Sequence, residues 1–186
     1  MDVVVTGLPS DAHTWNLVFI QLLIEDLGHH VINLGPCVPQ DEIVESCGKY
    51  QPDLLVVSSV NGHGFQDAEQ LIRAIRSRWE LAGLPAVIGG KLGVLGAEGR
   101  AGHGRRLLEA GFDAVFQEGR GEAEAEDENP NQGEGGNRGQ GQGRGQGRGQ
   151  DQGQDLGLGA FEAFVARLAA ERVPAATAAP LEGAAR

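Results

Sequence analysis

Asp11 and His13, separated by one alanine, are the residues whose types and spacing first indicate chemistry. They follow the apolar run Val3-Val4-Val5, which is typical of a buried strand, so we expect the pair on a loop at the carboxyl end of that strand. An imidazole there is well placed to ligate a metal ion, and the carboxylate can accept the other ring N–H, which fixes the tautomer. Two alternatives stay open: Asp11 as only the N-cap of the first helix, and His13 as an ordinary surface histidine.

Two segments rich in glycine follow later apolar runs. The first reads Ser58-Ser59-Val60-Asn61-Gly62-His63-Gly64, and the second reads Gly89-Gly90-Lys91-Leu92-Gly93. Glycines allow tight turns and a close approach of the backbone to a large ligand, while the serines and the asparagine can hydrogen-bond a polar one. His63 is interpreted either as a phosphate contact or as part of a turn, and Lys91 either as a ligand contact or as a solvated side chain.

The elements that must position these segments follow from the apolar periodicity. Short apolar strand candidates alternate with helical patterns, which predicts an α/β fold: a right-handed, doubly wound, five-stranded parallel sheet of flavodoxin-like order 2-1-3-4-5. Its switch point lies between strands one and three at their carboxyl ends, where the three segments would meet. The strand candidates are residues 2–7, 30–34, 53–58, 86–89 and 114–116, and the helical patterns are residues 15–27, 41–50, 65–81 and 100–110.

Three single residues carry further expectations for these elements. Gly111 directly follows the fourth helical pattern, so we interpret it as a helix C-cap. Trp15 and Trp79 lie within or at the end of helical patterns, and both are interpreted as packing residues.

The composition changes abruptly after Gly119. Residues 120–156 are mostly Gly, Gln, Arg, Asn and acidic residues with almost nothing to bury, which predicts a disordered insertion. A helical apolar stripe then runs from Leu158 to Leu168 and predicts a fifth helix of the same domain. The predicted domain therefore comprises residues 1–119 plus 157–172, followed by a flexible tail at residues 173–186. The alternative is a loose tail whose apolar stripe packs elsewhere.

Charge and composition exclude several classes of function. The 186 residues include 26 acidic and 15 basic ones, a net charge of −11, which argues against a nucleic-acid partner. No apolar run approaches a membrane span, and no positive n-region marks a signal peptide. Cys37 and Cys47 match neither a CxxC nor a zinc pattern. We interpret them as free thiols in a reducing cytoplasm, with a redox pair as the alternative.

The motifs D-x-H, S-S-x-x-G-x-G and G-G, in this order along the predicted elements, resemble the cobalamin-binding module of base-off/His-on enzymes. The resemblance covers residues 2–119 and is most specific to the small (sigma) subunits of glutamate mutase, also called methylaspartate mutase. It implies a Rossmann-like cobalamin-binding domain. In that family the dimethylbenzimidazole of the cofactor leaves cobalt and lies in a slot between strands three and four, and a histidine replaces it as the lower axial ligand.

Carried over residue by residue, the resemblance implies that His13 is the cobalt ligand and that Asp11 is its hydrogen-bonding partner. The family reads D-x-H-x-x-G, whereas this chain has Asn16 at the last position. Asparagine tolerates a left-handed backbone better than most residues, but its side chain is expected to alter cofactor affinity or geometry. The residues that would line the nucleotide-tail slot are Ser58, Ser59, Val60, Gly62 and Gly64, with Gly89 and Gly90 along the other side.

The resemblance also implies adenosylcobalamin as the cofactor and a carbon-skeleton mutase that interconverts L-glutamate and threo-3-methylaspartate. A separate, larger barrel subunit would bind the substrate in a heterotetramer, so this chain would carry no catalytic residue and would not be active alone. Alternatives are the small subunit of an acyl-CoA mutase, a non-enzymatic corrinoid carrier or cobalamin sensor, and a flavodoxin-like domain that binds no corrin. Because the pattern of the module begins at Asp2, we expect no cap or DNA-binding domain before it, and this expectation disfavours the carrier and the sensor.

Overall fold

The strands of the predicted sheet are all present and all parallel. The computed structural model describes residues 1–61, 64–91, 97–117 and 155–172. The strand order is β2-β1-β3-β4-β5, which confirms the predicted fold class and order. The strands are β1 Asp2–Gly7, β2 His30–Asn33, β3 Leu54–Ser59, β4 Ala86–Gly90 and β5 Ala114–Gln117. The helices are α1 Trp15–Asp26, α2 Gln40–Tyr50, α3 Gly64–Ser77, α4 Ala97–Ala110 and α5 Asp155–Arg172.

Helices cover the sheet on both faces because successive strand residues point to opposite sides. Val4 and Leu55 belong to a core shared with α2, α3 and α4. Val3 and Val56 belong to a second core, which is shared with α1 and α5. Phe161 of α5 is buried in that second core. We refer to the two sides of the sheet below as the α1/α5 face and the α3/α4 face.

The predicted domain limits are not decided by the described residues. The proposed insertion at residues 120–156 and the tail at residues 173–186 lie outside them, except that α5 already begins at Asp155. The limits 1–119 plus 157–172 therefore stay a prediction. Within the described ranges, no helix combines the length and apolar character needed to cross a membrane.

Both tryptophans contradict the packing role expected from the sequence. Trp15 is 83% exposed and Trp79 is 89% exposed. Trp15 opens α1 on the side that faces away from Leu17, a residue buried against the sheet. Trp79 lies beyond the end of α3 at Ser77, so the helical pattern that placed it on the apolar face does not extend that far. Apolar periodicity overestimates burial at both positions.

Arg76 fastens the end of α3 to the turn between α4 and β5. Its guanidinium donates to the Gly111 carbonyl at 2.7 and 3.0 Å and to the Asp113 carboxylate at 3.0 Å. Gly111 has φ +127° and its N–H donates to two carbonyls of the last turn of α4, which confirms the predicted C-cap. The guanidinium also donates to the carbonyl oxygens of Leu81, Ala82 and Leu84.

Candidate functional site

The loop of residues 8–13, called here the His13 loop, leaves β1 at the carboxyl edge of the sheet and is braced on two sides. The Cys37 N–H, from the loop after β2, donates to the Asp11 carbonyl at 2.9 Å. On the other side, the Ser10 hydroxyl donates to the Asp67 carboxylate in α3 at 2.5 Å. The same carboxylate accepts the Ser10 N–H at 3.3 Å. Contacts within the protein therefore set the path of this loop.

Asp11 and His13 form the pair that their spacing predicts. Oδ1 of Asp11 lies 2.6 Å from Nδ1 of His13 and also accepts the His13 main-chain N–H at 3.0 Å. Since a carboxylate only accepts, the ring proton of this tautomer is on Nδ1, and the lone pair of Nε2 is left for a ligand. The His13 side chain is 65% exposed, whereas that of Asp11 is 3% exposed. The buried Asp11 carboxylate therefore fixes the orientation of the exposed His13 ring and leaves Nε2 as the nitrogen available to a ligand.

Asp11 also links the His13 loop to the end of β3. Its second oxygen, Oδ2, accepts the Val60 N–H at 2.6 Å. Burial raises the pKa of Asp11, but hydrogen bonds from the main chain of His13 and Val60 and from the side chains of His13 and Ser59 outweigh burial, so the pKa is lowered from its ordinary value. The carboxylate is therefore charged where it meets the imidazole.

The interpretation of Asp11 as only an N-cap is wrong. Thr14 precedes the first residue of α1, and the main-chain donors to the Asp11 carboxylate are His13 and Val60, both outside that helix. Val60 acts through its main-chain N–H at this point, whereas the resemblance implied that it lines a slot.

Three neighbouring strands end in a row of small residues on the α1/α5 face. Gly7 pairs with Ser58, Ser58 with Gly89, and Gly89 with Phe116 of the edge strand. Two residues earlier along the strands, the same face carries larger side chains, because Val5 and Val56 are buried there. Ser58 is itself buried, and its hydroxyl is the polar side-chain group of this row. The row thus presents main chain and one hydroxyl to the helical layer.

Three other predicted slot residues, Ser59, Gly64 and Gly90, meet on the opposite side of the sheet. Ser59 is buried on the α3/α4 face, and its hydroxyl accepts the Asn61 N–H at 3.3 Å. A Cβ on Gly64 would meet the Ser59 Cβ at 3.0 Å, and one on Gly90 would meet the Ser59 carbonyl carbon at 3.0 Å. These two glycines allow close packing around Ser59, which in turn supports Asp11. Gly62, with His63, lies outside the described residues.

The part of the chain that contains this site also matches a known protein family. The B12-binding domain family matches residues 1–126. The chain belongs to the B12-binding domain family. The resemblance predicted from D-x-H, S-S-x-x-G-x-G and G-G is therefore confirmed.

Several curated relatives of this B12-binding domain are sigma subunits of glutamate mutase. The Fusobacterium nucleatum subsp. nucleatum sigma subunit is 30% identical over 117 residues, which are 63% of this chain and 85% of the relative. Glutamate mutase sigma subunit 1 of Haloarcula marismortui is 32% identical over 116 residues, 61% of this chain and 74% of the relative. Both alignments cover most of the relative's own length.

A solved structure supports the fold alone. The monomethylamine corrinoid protein of Methanosarcina barkeri superposes with a TM-score of 0.52 at 17% identity, over 62% of this chain. The superposition spans about half of that protein, 51% of its chain.

Asn16, the one departure from the family's motif, does not need the freedom of glycine in this domain. It lies in the first turn of α1, and the non-glycine residues with positive φ in the described ranges are Cys37 and Gln51. Its main chain is therefore accommodated in the helix, and its half-buried side chain is what distinguishes the position from glycine.

Sequence reasoning missed the residues that brace the His13 loop. Ser10, Cys37 and Asp67 carry no motif of their own, and their partners are far away in the sequence. One signal was available: Asp67 is an acidic residue in the first turn of α3, three residues after the glycine-rich segment ends at Gly64. Lys91, which follows β4, is exposed.

Proposed function

We propose that this chain is the cobalamin-binding subunit of an adenosylcobalamin-dependent carbon-skeleton mutase that interconverts L-glutamate and threo-3-methylaspartate with a separate barrel subunit. The observation that carries the proposal is the Asp11–His13 pair, which presents one oriented ring nitrogen at the switch point of a B12-binding domain. The glutamate mutase sigma relatives support the choice of reaction.

The donor set fits a cobalt ion that already carries a macrocycle. Asp11 is occupied by His13 and Val60, so the pair has a single nitrogen to offer, Nε2 of His13. A cobalt ion that already carries a macrocycle would take one such nitrogen from the protein. A charged carboxylate behind an imidazole fixes the ring and makes the ligating nitrogen more basic.

The row of Gly7, Ser58 and Gly89 fits the nucleotide tail of the same cofactor. Planar groups can approach main chain closely where side chains are absent. The hydroxyl of Ser58, a buried residue at the centre of this row, would be a donor for a polar atom of that tail. The fit thus involves two different parts of the cofactor at one edge of the sheet.

When bound, adenosylcobalamin supplies a cobalt–carbon bond whose homolysis starts radical chemistry. The residues of this chain would bind and orient the cofactor: His13 would ligate the cobalt, Asp11 would direct His13, and Ser58 would hydrogen-bond the tail. Groups that bind glutamate belong to the barrel subunit, so we assign no catalytic residue here. We expect two copies of each subunit in the assembly.

Reconstitution tests this proposal. The purified chain is mixed with adenosylcobalamin and a purified glutamate mutase barrel subunit, and conversion of L-glutamate is followed by proton NMR. We expect 3-methylaspartate only when both subunits are present, and a loss of turnover with His13→Ala. Cobalamin binding without glutamate turnover would contradict the assigned reaction. In that case, turnover of an acyl-CoA substrate with the matching barrel subunit would identify the other mutase class, and its absence would indicate a carrier or sensor.

A further inference from the structure

Three large apolar side chains lie exposed along one line of α1. Trp15 is 83%, Phe19 53% and Leu22 60% exposed. Their spacing of four and then three residues places them on one helix face. At about 100° per residue, this face is opposite to Leu17 and Ile24, which are buried against the sheet. We call these three residues the α1 stripe. The α1 stripe is not part of the hydrophobic core, because Leu17 and Ile24 on the opposite side of α1 pack against the sheet.

The stripe begins at the cofactor site. Trp15 is two residues after His13, at the carboxyl edge of the sheet, and Phe19 and Leu22 continue from there along the outer side of the helix. A chain that covers the rim around His13 would therefore also reach the first residue of the stripe. Exclusion of water from a reaction site requires such a cover.

The size of the stripe argues against a stable dimer through this face alone. The three exposed side chains offer an apolar area on the order of 400 Å², within the range at which patches mark interaction sites. A stable interface needs roughly 800 Å² from each partner. The net charge of −11 further disfavours contact with a second copy, because like charges repel. The stripe is better explained as part of a larger contact with a different chain.

The chain's own remaining segments offer little to cover the stripe. Residues 118–154 contain no large apolar side chain, and residues 173–186 contain two, Val173 and Leu181. The last described residue, Arg172, is paired with Asp53 at the amino end of β3, which is the edge of the sheet opposite to His13.

We propose that Trp15, Phe19 and Leu22 form a docking face for the catalytic barrel subunit, an apolar contact continuous with the rim of the cofactor site. The inference rests on the proposed function, because it takes the partner to be the chain that brings substrate to the cofactor. It goes beyond that function in assigning the contact to the outer face of α1 and to three named side chains.

The test compares a variant of the α1 stripe with a variant of an exposed apolar residue elsewhere on the domain. Phe19→Ser/Leu22→Ser removes two of the three stripe residues and leaves Trp15 and the His13 loop untouched. Trp79→Ser removes an aromatic that is 89% exposed and precedes β4 at the opposite edge of the sheet. Affinity for a purified glutamate mutase barrel subunit is measured by titration calorimetry with adenosylcobalamin present. Cobalamin uptake by each chain alone is measured by equilibrium dialysis, and folding is checked by circular dichroism.

We expect the double variant to weaken binding of the barrel subunit by at least about 30-fold, as loss of a central apolar contact does. Its cobalamin uptake and circular dichroism should match wild type, and Trp79→Ser should bind the barrel subunit within about two-fold of wild type. The proposal is overturned if the double variant binds the barrel subunit like wild type. A wild-type dimer that the double variant dissociates would assign the stripe to a second copy instead. If the wild-type chain does not turn over glutamate with the barrel subunit, the proposed function is refuted. If the wild-type chain turns over glutamate and the double variant binds the barrel subunit equally well, only the docking face is refuted.

Discussion

Alanine at Gly89 and alanine at Gly90 are expected to have different effects, although the two residues are adjacent at the end of β4. At Gly90 the main chain has φ +112°, and a Cβ would meet the Ser59 carbonyl carbon at 3.0 Å. At Gly89 the nearest atom to a new Cβ is the Phe116 carbonyl oxygen at 3.4 Å, an ordinary contact. The two positions also face opposite sides of the sheet. Gly89 belongs to the row with Gly7 and Ser58, on the α1/α5 face.

The magnitudes follow from these contacts. Gly90→Ala adds strain of about 1–3 kcal/mol from the left-handed main chain and about 1–3 kcal/mol from the displacement of a neighbouring strand. This is a large part of the about 5–15 kcal/mol that stabilises a typical domain. Gly89→Ala should leave the free energy of unfolding nearly unchanged but place a methyl group in the tail slot. Overpacking of about 1–3 kcal/mol corresponds to a loss of cobalamin affinity of roughly 5- to 150-fold.

Urea denaturation followed by circular dichroism measures the first effect, and equilibrium dialysis with adenosylcobalamin measures the second. Gly90→Ala should unfold at a clearly lower urea concentration than wild type. Gly89→Ala should unfold at the same urea concentration as wild type but bind cobalamin more weakly. The reasoning about the two faces is refuted if Gly89→Ala binds cobalamin with wild-type affinity, or if Gly90→Ala is as stable as wild type.

Three further outcomes are expected. Asp67→Ala should weaken cobalamin binding about 10-fold, because it removes the charged hydrogen bond to Ser10 that braces the His13 loop. The circular dichroism spectrum should not change, and wild-type cobalamin affinity would contradict this role of Asp67. N-ethylmaleimide should label Cys37 in the folded chain and Cys47 only in urea, because burial raises the pKa of the Cys47 thiol to about 12; rapid labelling of both, seen by mass spectrometry, would refute it. Arg76→Gln should lower the free energy of unfolding by about 2–4 kcal/mol, as several carbonyls lose their donor; an unchanged urea midpoint would exclude that role.

The fold could be predicted because each strand is locally distinct. The run from Val3 to Val5 and the run from Leu54 to Val57 are short, apolar and separated by helical patterns, and two-sided burial of a parallel sheet requires this. The Asp11–His13 contact could also be predicted, since two residues of spacing bring a carboxylate to a ring nitrogen without long-range information.

Long-range features could not be predicted from the same sequence. Ser10 and Asp67 are 57 residues apart, and only the packing of α3 against the His13 loop brings them together. The distribution of Ser58 and Ser59 over two faces depends on strand register, which a motif does not record. Trp15 is apolar and lies in a helix, but its residue type does not say that it points away from the sheet.

Ligation of cobalt by His13 is the central claim, and electron paramagnetic resonance of the cobalt(II) cofactor bound to the chain tests it most directly. The axial nitrogen splits the cobalt lines into triplets if it is nitrogen-14 and into doublets if it is nitrogen-15. The protein is produced with nitrogen-15 histidine, the cofactor is left unlabelled, and the barrel subunit is added unlabelled. We predict doublets for the labelled wild type and their loss in labelled His13→Ala. Triplets from the labelled wild type would show that the nitrogen comes from the cofactor's own base, and would contradict the account.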